Sequence, residues 1–242
     1  MSDSGRLARE QEFHNEAFSK DKRSQTNKYY NSANKGKDYY HQVLWENIGK
    51  EKILLYGCGK GGPAMLLAKK GAVVSAIDIS DWAIEESKRN AKKEQLAIDF
   101  QVMDAENLSY SDNLFDKICG SGILHHLNVE KAYNEIRRTL KRNGKAVFFE
   151  PLGHNFLINL YRNFTPSLRT EDEHPLLMKD IELAKKYFKQ VEVSHFNLFA
   201  TFGAFLPVLS SSLHKLDSFL FSKFSFLKRY SWIVVLEFSD PR

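Results

Sequence analysis

Cysteine is scarce in this chain of 242 residues, which contains only Cys58 and Cys119. A small fold held together by disulfides uses more cysteines, so this count favours a reducing compartment. The first residues, MSDSGRLAREQEF, lack the apolar segment of a signal peptide. Apolar runs are also short, well below the ~18 residues of a membrane-spanning helix. These absences predict a cytoplasmic protein.

Long runs of charge of one sign are missing as well. The net charge is only +5, and lysine and arginine are scattered rather than interleaved with aromatic residues in a stripe. We therefore expect no nucleic-acid partner. Hydrophobic residues make up 43% of the chain and charged residues 27%, which is typical of a folded domain with a substantial core. Nothing in the composition indicates an oligomeric state.

From Lys52 onward the chain alternates short apolar runs with amphipathic stretches. The apolar runs have the length of buried strands, and the amphipathic stretches have helical spacing. The predicted strands are 52–56, 73–77, 98–103, 115–120 and 145–149, and the predicted helices between them are 63–70, 81–93 and 129–141. This alternation predicts an α/β fold, doubly wound around a parallel sheet.

The N-terminal part does not follow that alternation. Residues 1–45 are polar and show only weak helical spacing, so they predict a helical appendage on a domain formed by residues 46–242.

The pattern also loosens near the C-terminus. After Pro151 we expect a helix at 176–188 and strands at 190–197 and 230–238. The residues between these strands, 198–229, are rich in Phe and Leu at helical intervals. They predict a helical insertion before the last strand.

A glycine-rich turn directly follows the first predicted strand and directly precedes a helix. It reads YGCGKGG and spans residues 56–62. Glycines permit a tight turn and close approach of a ligand, and a helix N-terminus offers unpaired N–H groups. Gly57, Gly59 and Gly62 also have the spacing of a dinucleotide fingerprint, so the turn by itself leaves the kind of nucleotide open.

An acidic residue, Asp78, ends the second predicted strand, roughly 20 residues beyond the first glycine. A carboxylate at this place accepts hydrogen bonds from the hydroxyls of a ribose. The structural alternative is that Asp78 only helps to cap the next helix. The turn and the aspartate together predict a bound adenosine.

Five segments in this order make the chain resemble the class I S-adenosylmethionine-dependent methyltransferases, especially the small-molecule branch that contains the ubiquinone and menaquinone methyltransferases. The segments are ILLYGCGKGG at 53–62, AIDIS at 76–80, MDAENL at 103–108, FDKICGSGILHHL at 115–127 and EIRRTLKRNGKAVFFEP at 135–151. The resemblance implies a Rossmann-like sheet of seven strands with the last strand antiparallel. It also implies S-adenosylmethionine as the cofactor.

The same resemblance assigns residues to the methionine side of the cofactor. Gly57, Gly59 and Gly61 are expected to face its methionine and ribose parts. Ser121, together with Gly122, is expected to line the floor beneath the sulfonium and the methyl group.

The adenosine side is assigned in the same way. Asp78 is expected to bind the ribose hydroxyls, and Ile79 to lie against the adenine ring. Asp104 and the backbone of Ala105 are expected to meet the adenine amino group, although an aspartate before Ala-Glu-Asn is also a common turn residue.

One position departs from the family pattern. The family has an acidic residue two positions before the first glycine, and this chain has Leu55 there. The departure puts cofactor affinity in doubt, because that acidic group organises the amino end of the methionine. Replacement contacts are expected from the N-terminal segment, where the candidates are Arg23, Lys28, Tyr29 and Tyr30.

Two adjacent histidines, His125 and His126, follow the fourth predicted strand. In an open α/β sheet this loop lies over the ligand crevice, where a histidine can accept a proton from the substrate. We predict His126 as the catalytic base. The alternative is that one histidine packs under the sheet and the other orients the loop.

The stretch 150–174 resembles the substrate side of family relatives. Its candidates for binding polar groups of the substrate are Glu150, His154, Asn155, Arg162, Arg169 and His174. The acidic cluster at 171–174 has no recognisable ligand geometry and is typical of a solvated loop, so we expect no metal site.

These observations predict methyl transfer from S-adenosylmethionine to a small, partly apolar acceptor. Two alternatives remain open: a binding protein that has kept the fold without catalysis, and a nicotinamide-dependent oxidoreductase. For the insertion at 198–229 the alternatives are ordinary core, the lining of an acceptor pocket, and a peripheral contact with a membrane.

Overall fold

The computed structural model describes residues 3–20, 33–165 and 174–242. Its centre is a sheet of seven strands in the order β3-β2-β1-β4-β5-β7-β6. In chain order the strands are β1 Lys52–Tyr56, β2 Val73–Asp78, β3 Asp99–Val102, β4 Phe115–Ser121, β5 Leu140–Pro151, β6 Phe188–Phe196 and β7 Ile233–Pro241. The first five run parallel, whereas β7 is antiparallel to both of its neighbours. The expected sheet with an antiparallel last strand is therefore confirmed.

Helices cover both faces of this sheet. Among the described residues they are α1 Asp3–Ser19, α2 Asn34–Trp45, α3 Gly62–Lys69, α4 Asp81–Lys93, α5 Val129–Thr139, α6 Phe156–Phe164, α7 Met178–Ala184 and α8 Ser210–Lys223. Helices α5 and α7 pack into one core cluster, and α2, α3 and α4 pack into the other. The side chains of β1 alternate between the two, with Leu54 and Tyr56 in the first and Ile53 and Leu55 in the second. This is the doubly wound arrangement.

The local patterns predict the first half of the chain closely. The strand at 52–56 and the helix at 81–93 have the observed bounds. The helix predicted at 129–141 instead ends at Thr139, because Leu140 already pairs with Phe115 as the first residue of β5. The helix predicted at 176–188 shrinks to α7, since Phe188 begins β6.

The insertion before β7 is helical, as expected, but only one part of it is an α-helix. Helix α8 is preceded by 3-10 turns at Ala200–Ala204 and Pro207–Leu209 and followed by one at Ser225–Tyr230. In α8 only Asp217 and Phe221 are buried. The two carboxylate oxygens of Asp217 accept the N–H groups of residues 198–200, which fixes the start of the insertion.

The two N-terminal helices contact different parts of the sheet layer. Helix α2 packs on β5, β6 and β7 and buries Tyr40, Val43 and Leu44. Helix α1 packs against α4, beyond the carboxyl ends of the central strands. None of the helices in the described part of the chain combines the length and apolar character needed to cross a membrane.

Candidate functional site

A cavity lies at the carboxyl ends of the central strands, where an open α/β sheet binds ligands. Its walls come from α1 and from the loops that follow β1, β2, β3 and β4. The lining residues are Arg6, Leu7, Glu10, His14, Phe18, Gly57, Ile77, Asp78, Ile79, Met103, Asp104, Ala105, Ser121, Gly122, Ile123, His126 and Leu127. Six of the eight predicted cofactor residues are in this set, and so is the predicted catalytic histidine.

The glycine turn after β1 contributes to the cavity through its first glycine. Gly57, Gly59 and Gly61 all have positive φ, at 64°, 53° and 83°, so each adopts a backbone that other residues rarely reach. Only Gly57 lines the cavity. Gly59 lies under the ring of Phe18, and a Cβ at Gly61 would sit 2.9 Å from the side chain of Ser87 in α4. Gly61 thus allows close packing of α3 and α4 behind the site.

Asp78 joins the glycine turn to the end of β2. One carboxylate oxygen accepts the Gly59 N–H at 2.9 Å, and the other accepts the Ser80 N–H at 3.0 Å. Ser80, rather than Asp78, caps α4 by accepting the Ala83 N–H. The side chain of Asp78 is buried and borders the cavity, so its remaining lone pairs are available to ligand hydroxyls.

The loop after β3 forms the neighbouring wall. Asp104 accepts the Glu106 N–H at 2.8 Å, which is the turn geometry that its sequence context suggests. Asp104, Ala105 and Met103 nevertheless all line the cavity, next to Ile79 of the β2 loop. This part of the cavity therefore combines the carboxylates of Asp78 and Asp104 with the apolar side chains of Ile79, Met103 and Ala105.

The loop after β4 is held from below by a buried carboxylate. Glu150 of β5 accepts the N–H groups of Ile123 and Leu124 at 2.9 and 3.0 Å. It also contacts Nδ1 of His125 at 2.7 Å. Complete burial raises the pKa of Glu150 to about 7, against the lowering effect of these hydrogen bonds. Ser121 and Gly122 therefore reach the cavity from a rigidly supported loop.

The two adjacent histidines have different environments. His125 points away from the cavity to Glu150, whereas His126 lines the cavity. Nδ1 of His126 lies 3.4 Å from a carboxylate oxygen of Glu10. The ring centroids of the two histidines are 4.3 Å apart, and of the pair only His126 lines the cavity.

Helix α1 supplies a wall that the sequence analysis did not identify. Its cavity-lining residues are Arg6, Leu7, Glu10, His14 and Phe18, which are spaced by three or four positions along one helical face. The sequence shows this helix only as weak helical spacing. Three of the lining residues are Arg, Glu and His, and such polar residues ordinarily indicate a helix face that is exposed to solvent.

Polar contacts fasten α1 across the cavity. Arg6 forms an ion pair with Glu106 and donates to the backbone oxygen of His126. On the other side, Gln11 donates to the backbone oxygen of Ile79 at 3.0 Å. Asn15 donates to Asp81 at 2.7 Å. The helix therefore bridges the loops after β2 and β3.

Several other candidates do not line the cavity. Leu55 is buried in the apolar core. Asn155 caps α6, and His154 accepts the Met178 N–H. His174 donates its backbone N–H to the backbone oxygen of His125. Arg162 is also absent from the lining, as are Glu150, His154, Asn155 and His174. The candidates Arg23, Lys28, Tyr29, Tyr30 and Arg169, and most of the acidic cluster at 171–174, lie outside the described residues.

Comparison with known sequences identifies the segment that carries this site. The methyltransferase-domain family model matches residues 54–148. A ubiquinone biosynthesis O-methyltransferase of Coxiella burnetii is 34% identical over 110 residues, which cover 45% of this chain and 47% of that protein. A sterol 24-C-methyltransferase of Aspergillus fumigatus is 32% identical over 147 residues, covering 59% of this chain and 36% of that protein. The chain spans about half the length, or less, of these curated relatives.

A solved structure extends the likeness over more of the chain. The phosphoethanolamine N-methyltransferase 2 of Haemonchus contortus, in complex with phosphomonomethylethanolamine and S-adenosylhomocysteine, aligns with a TM-score of 0.63 at 21% identity. The alignment covers 85% of this chain and 53% of that one. At this identity the comparison establishes the shared fold.

These findings favour methyl transfer over the nicotinamide-dependent and non-catalytic alternatives. The matched domain includes β1 through most of β5, the strands whose loops form the cavity. A second structure of the Haemonchus contortus enzyme, also 21% identical to this chain, contains S-adenosyl-L-methionine. Residues 54–148 thus form a methyltransferase domain, and the chain is similar over this region to class I S-adenosylmethionine-dependent methyltransferases.

Proposed function

We propose that this protein transfers the methyl group of S-adenosylmethionine to a small, partly apolar acceptor. The observation that carries the proposal is the cavity itself, in which Asp78, Asp104 and His126 converge from three different loops at the carboxyl edge of the sheet. Relatives that methylate ubiquinone precursors and sterols make small molecules the natural acceptor class.

The adenosine part of the cofactor fits the wall between the β2 and β3 loops. Asp78 would accept hydrogen bonds from the ribose hydroxyls, with Ile79 and Ala105 against the adenine and Asp104 at its amino group. The support is that all four side chains border the cavity and Asp78 is already held in place by two backbone N–H groups. Such preorganisation lowers the cost of binding.

The methionine part would extend from Gly57 toward Ser121, with Gly59 and Gly61 shaping the turn. The acceptor attacks the methyl carbon, the carbon–sulfur bond breaks, and its electron pair stays on sulfur to give S-adenosylhomocysteine. The acceptor proton passes to His126, which lines the same cavity. Because the sulfonium is an activated donor, the protein mainly has to position the two reactants and exclude water.

Calorimetric titration with S-adenosylmethionine tests this assignment. Asp78→Ala removes two charge-assisted hydrogen bonds to the ribose, each worth about 1.5–3 kcal/mol, so we expect affinity to fall by at least tenfold. Asp99→Ala, an exposed aspartate on β3, is the matched control and should bind normally. Equal affinity of the Asp78→Ala variant and the wild type would show that Asp78 does not hold the cofactor.

Exposed apolar side chains indicate the environment from which the protein takes its acceptor. Most large apolar side chains that the described residues expose lie between 156 and 230, on α6, on α8 and in the 3-10 turns of the insertion. Val208 is 95% exposed and Phe164 76%. Large exposed apolar patches on a protein often mark a binding surface.

Basic residues accompany this surface, which we call the apolar surface of residues 156–230. Lys215, Lys223, Lys228 and Arg229 are all exposed on it. Apolar side chains bordered by lysine and arginine are suited to the interface of an anionic membrane. We propose that the protein rests on such a membrane through this surface and takes its acceptor from the lipid phase.

A further inference from the structure

Three potential metal ligands meet at the edge of the cofactor cavity. They are Glu10 and His14 of α1 and His126 of the loop after β4. One ligand atom from each residue lies within 4.8 Å of the other two. Glutamate and histidine are the ligands that zinc and similar divalent metals prefer in catalytic sites.

The individual distances resemble those between ligand atoms around a tetrahedral metal. A carboxylate oxygen of Glu10 lies 3.3 Å from Nε2 of His14 and 3.4 Å from Nδ1 of His126. In a tetrahedron with bonds of about 2.0–2.1 Å, ligand atoms are about 3.3–3.4 Å apart. These separations are longer than a charge-assisted hydrogen bond of about 2.7–2.9 Å.

Burial and backbone geometry hold the three groups in place. Each side chain is less than a tenth exposed. Glu10 and His14 are four positions apart, so they project from the same face of α1. His126 comes from a loop that Glu150 anchors through two backbone N–H groups. A divalent cation bound here would add a positive charge beside the buried Glu10 carboxylate.

We propose that Glu10, His14 and His126 bind a divalent transition metal of the zinc type. All three residues line the cavity, so a metal that they held would be accessible from the ligand space. An oxygen atom of the acceptor could then serve as a further ligand. Three protein ligands with one open position is the arrangement of a catalytic rather than a structural zinc site.

The role of this metal rests on the proposed methyl transfer, whereas its binding does not. A divalent cation lowers the pKa of a hydroxyl group that it coordinates. An acceptor hydroxyl would then release its proton to solvent water before its oxygen attacks the methyl carbon. With the metal bound, His126 would act as a ligand through Nδ1, and water would take its place as the proton acceptor.

Cobalt titration of untagged, chelator-treated protein tests the site directly. Bound Co²⁺ in a four- or five-coordinate site gives visible absorption bands, which report ligand geometry without any methyl transfer. We expect one equivalent to saturate the bands and Zn²⁺ to displace it. Absence of saturable bands in the wild-type protein would overturn the proposal, whatever the variants do.

Substitutions test whether Glu10 and His14 are the residues that bind Co²⁺. Glu10→Gln and His14→Gln should each weaken Co²⁺ binding by at least tenfold, and circular dichroism checks that they fold. His41→Gln, which alters a half-buried histidine on α2, is the matched control and should bind as wild type does. Equal binding by all three variants would also overturn the site. If Co²⁺ does not bind, S-adenosylmethionine binding can still be measured by calorimetry. The metal-site proposal and the methyl-transfer proposal can therefore be contradicted independently.

Discussion

Leu55 illustrates how one residue can be judged only by its surroundings. It occupies the position where the family has an acidic group, two residues before Gly57. Its side chain is 3% exposed and belongs to the apolar cluster that includes Ile53, Ala64 and Cys119. The leucine therefore serves the core, and its side chain offers no charge to the amino end of a bound methionine.

Replacing Leu55 with the acidic residue of the family pattern should destabilise the fold. We expect Leu55→Asp to lower the free energy of unfolding by about 3–5 kcal/mol, because it buries a charge without a partner. Urea denaturation measures the change. Leu66→Asp, on the exposed side of α3, should cost less than about 1 kcal/mol. If the two substitutions proved equally costly, or if Leu55→Asp tightened cofactor binding in a stable fold, the burial argument would be wrong.

His125 and His126 also differ in ways that only their surroundings in the fold reveal. They are neighbours with identical chemistry, yet one contacts Glu150 beneath the loop and the other lines the cavity near Glu10. The sequence offers both histidines in the same loop, and only the structure shows that His126 is the one that lines the cavity. Their ring centroids are nevertheless only 4.3 Å apart.

Among the elements, α1 has the largest consequence for the site. It closes the cavity over the glycine turn, and the ring of Phe18 lies against Gly59. Its attachment includes several side-chain contacts, among them the part-buried ion pair between Arg6 and Glu106. Glu106 also accepts the Asn128 N–H at 2.7 Å, so this carboxylate links α1 to the loop that carries His126.

Removing the arginine should loosen that attachment. In Arg6→Ala the buried carboxylate of Glu106 loses its cation, and we expect α1 amide hydrogens to exchange at least tenfold faster, since such contacts are worth about 1.5–3 kcal/mol. Hydrogen-exchange mass spectrometry measures this, and the affinity for S-adenosylmethionine should fall in parallel.

Lys20→Ala, one residue beyond the end of α1, provides the control. It removes an exposed ion pair with Glu16, which contributes about 0–1 kcal/mol. Exchange in α1 should therefore remain near the wild-type rate. Matching exchange in the Arg6→Ala and Lys20→Ala variants would indicate that core packing alone holds α1 in place.

On the scale of the whole molecule, polarity is distributed unevenly. The sheet and its covering helices bury two apolar clusters, whereas the apolar surface of residues 156–230 remains exposed beside basic residues. With a net charge of +5, the molecule has a weak overall attraction to anionic surfaces. The apolar side chains would add the part of the binding that salt does not screen.

Vesicle sedimentation tests this surface. We expect the protein to bind vesicles that contain anionic phospholipid, and the double variant Phe205→Glu, Phe219→Glu to bind at least tenfold more weakly. The reason is that a buried phenylalanine contributes about 1.5–3 kcal/mol, which a carboxylate at an anionic surface reverses. Leu66→Glu changes an exposed leucine on α3 and serves as the control.

The double variant, the Leu66→Glu control and the wild type should bind S-adenosylmethionine with equal affinity. The reason is that neither phenylalanine lines the cavity. A wild-type protein that ignores anionic vesicles would contradict the membrane proposal. The membrane proposal would also be contradicted if the protein methylated a small polar metabolite and the double variant did so at the wild-type rate.

The sequence by itself determined the parts that depend on local patterning. The strand at 52–56, the glycine turn behind it and the aspartate at the end of β2 follow from residues close to one another in the chain. Periodicity and turn chemistry record such short-range relations, so they can be read directly. The antiparallel last strand came from the family resemblance and not from periodicity, because strand direction leaves no local pattern.

Tertiary structure alone decided which distant side chains share the cavity. Arg6 contacts the backbone of His126 across 120 positions, and Gln11 contacts Ile79 across 68. Helical spacing can show that residues 6–18 of α1 share a face, but it cannot say what that face covers. Its partner is chosen by packing and by the pairing of buried charge, and these interactions exist only after the chain has folded.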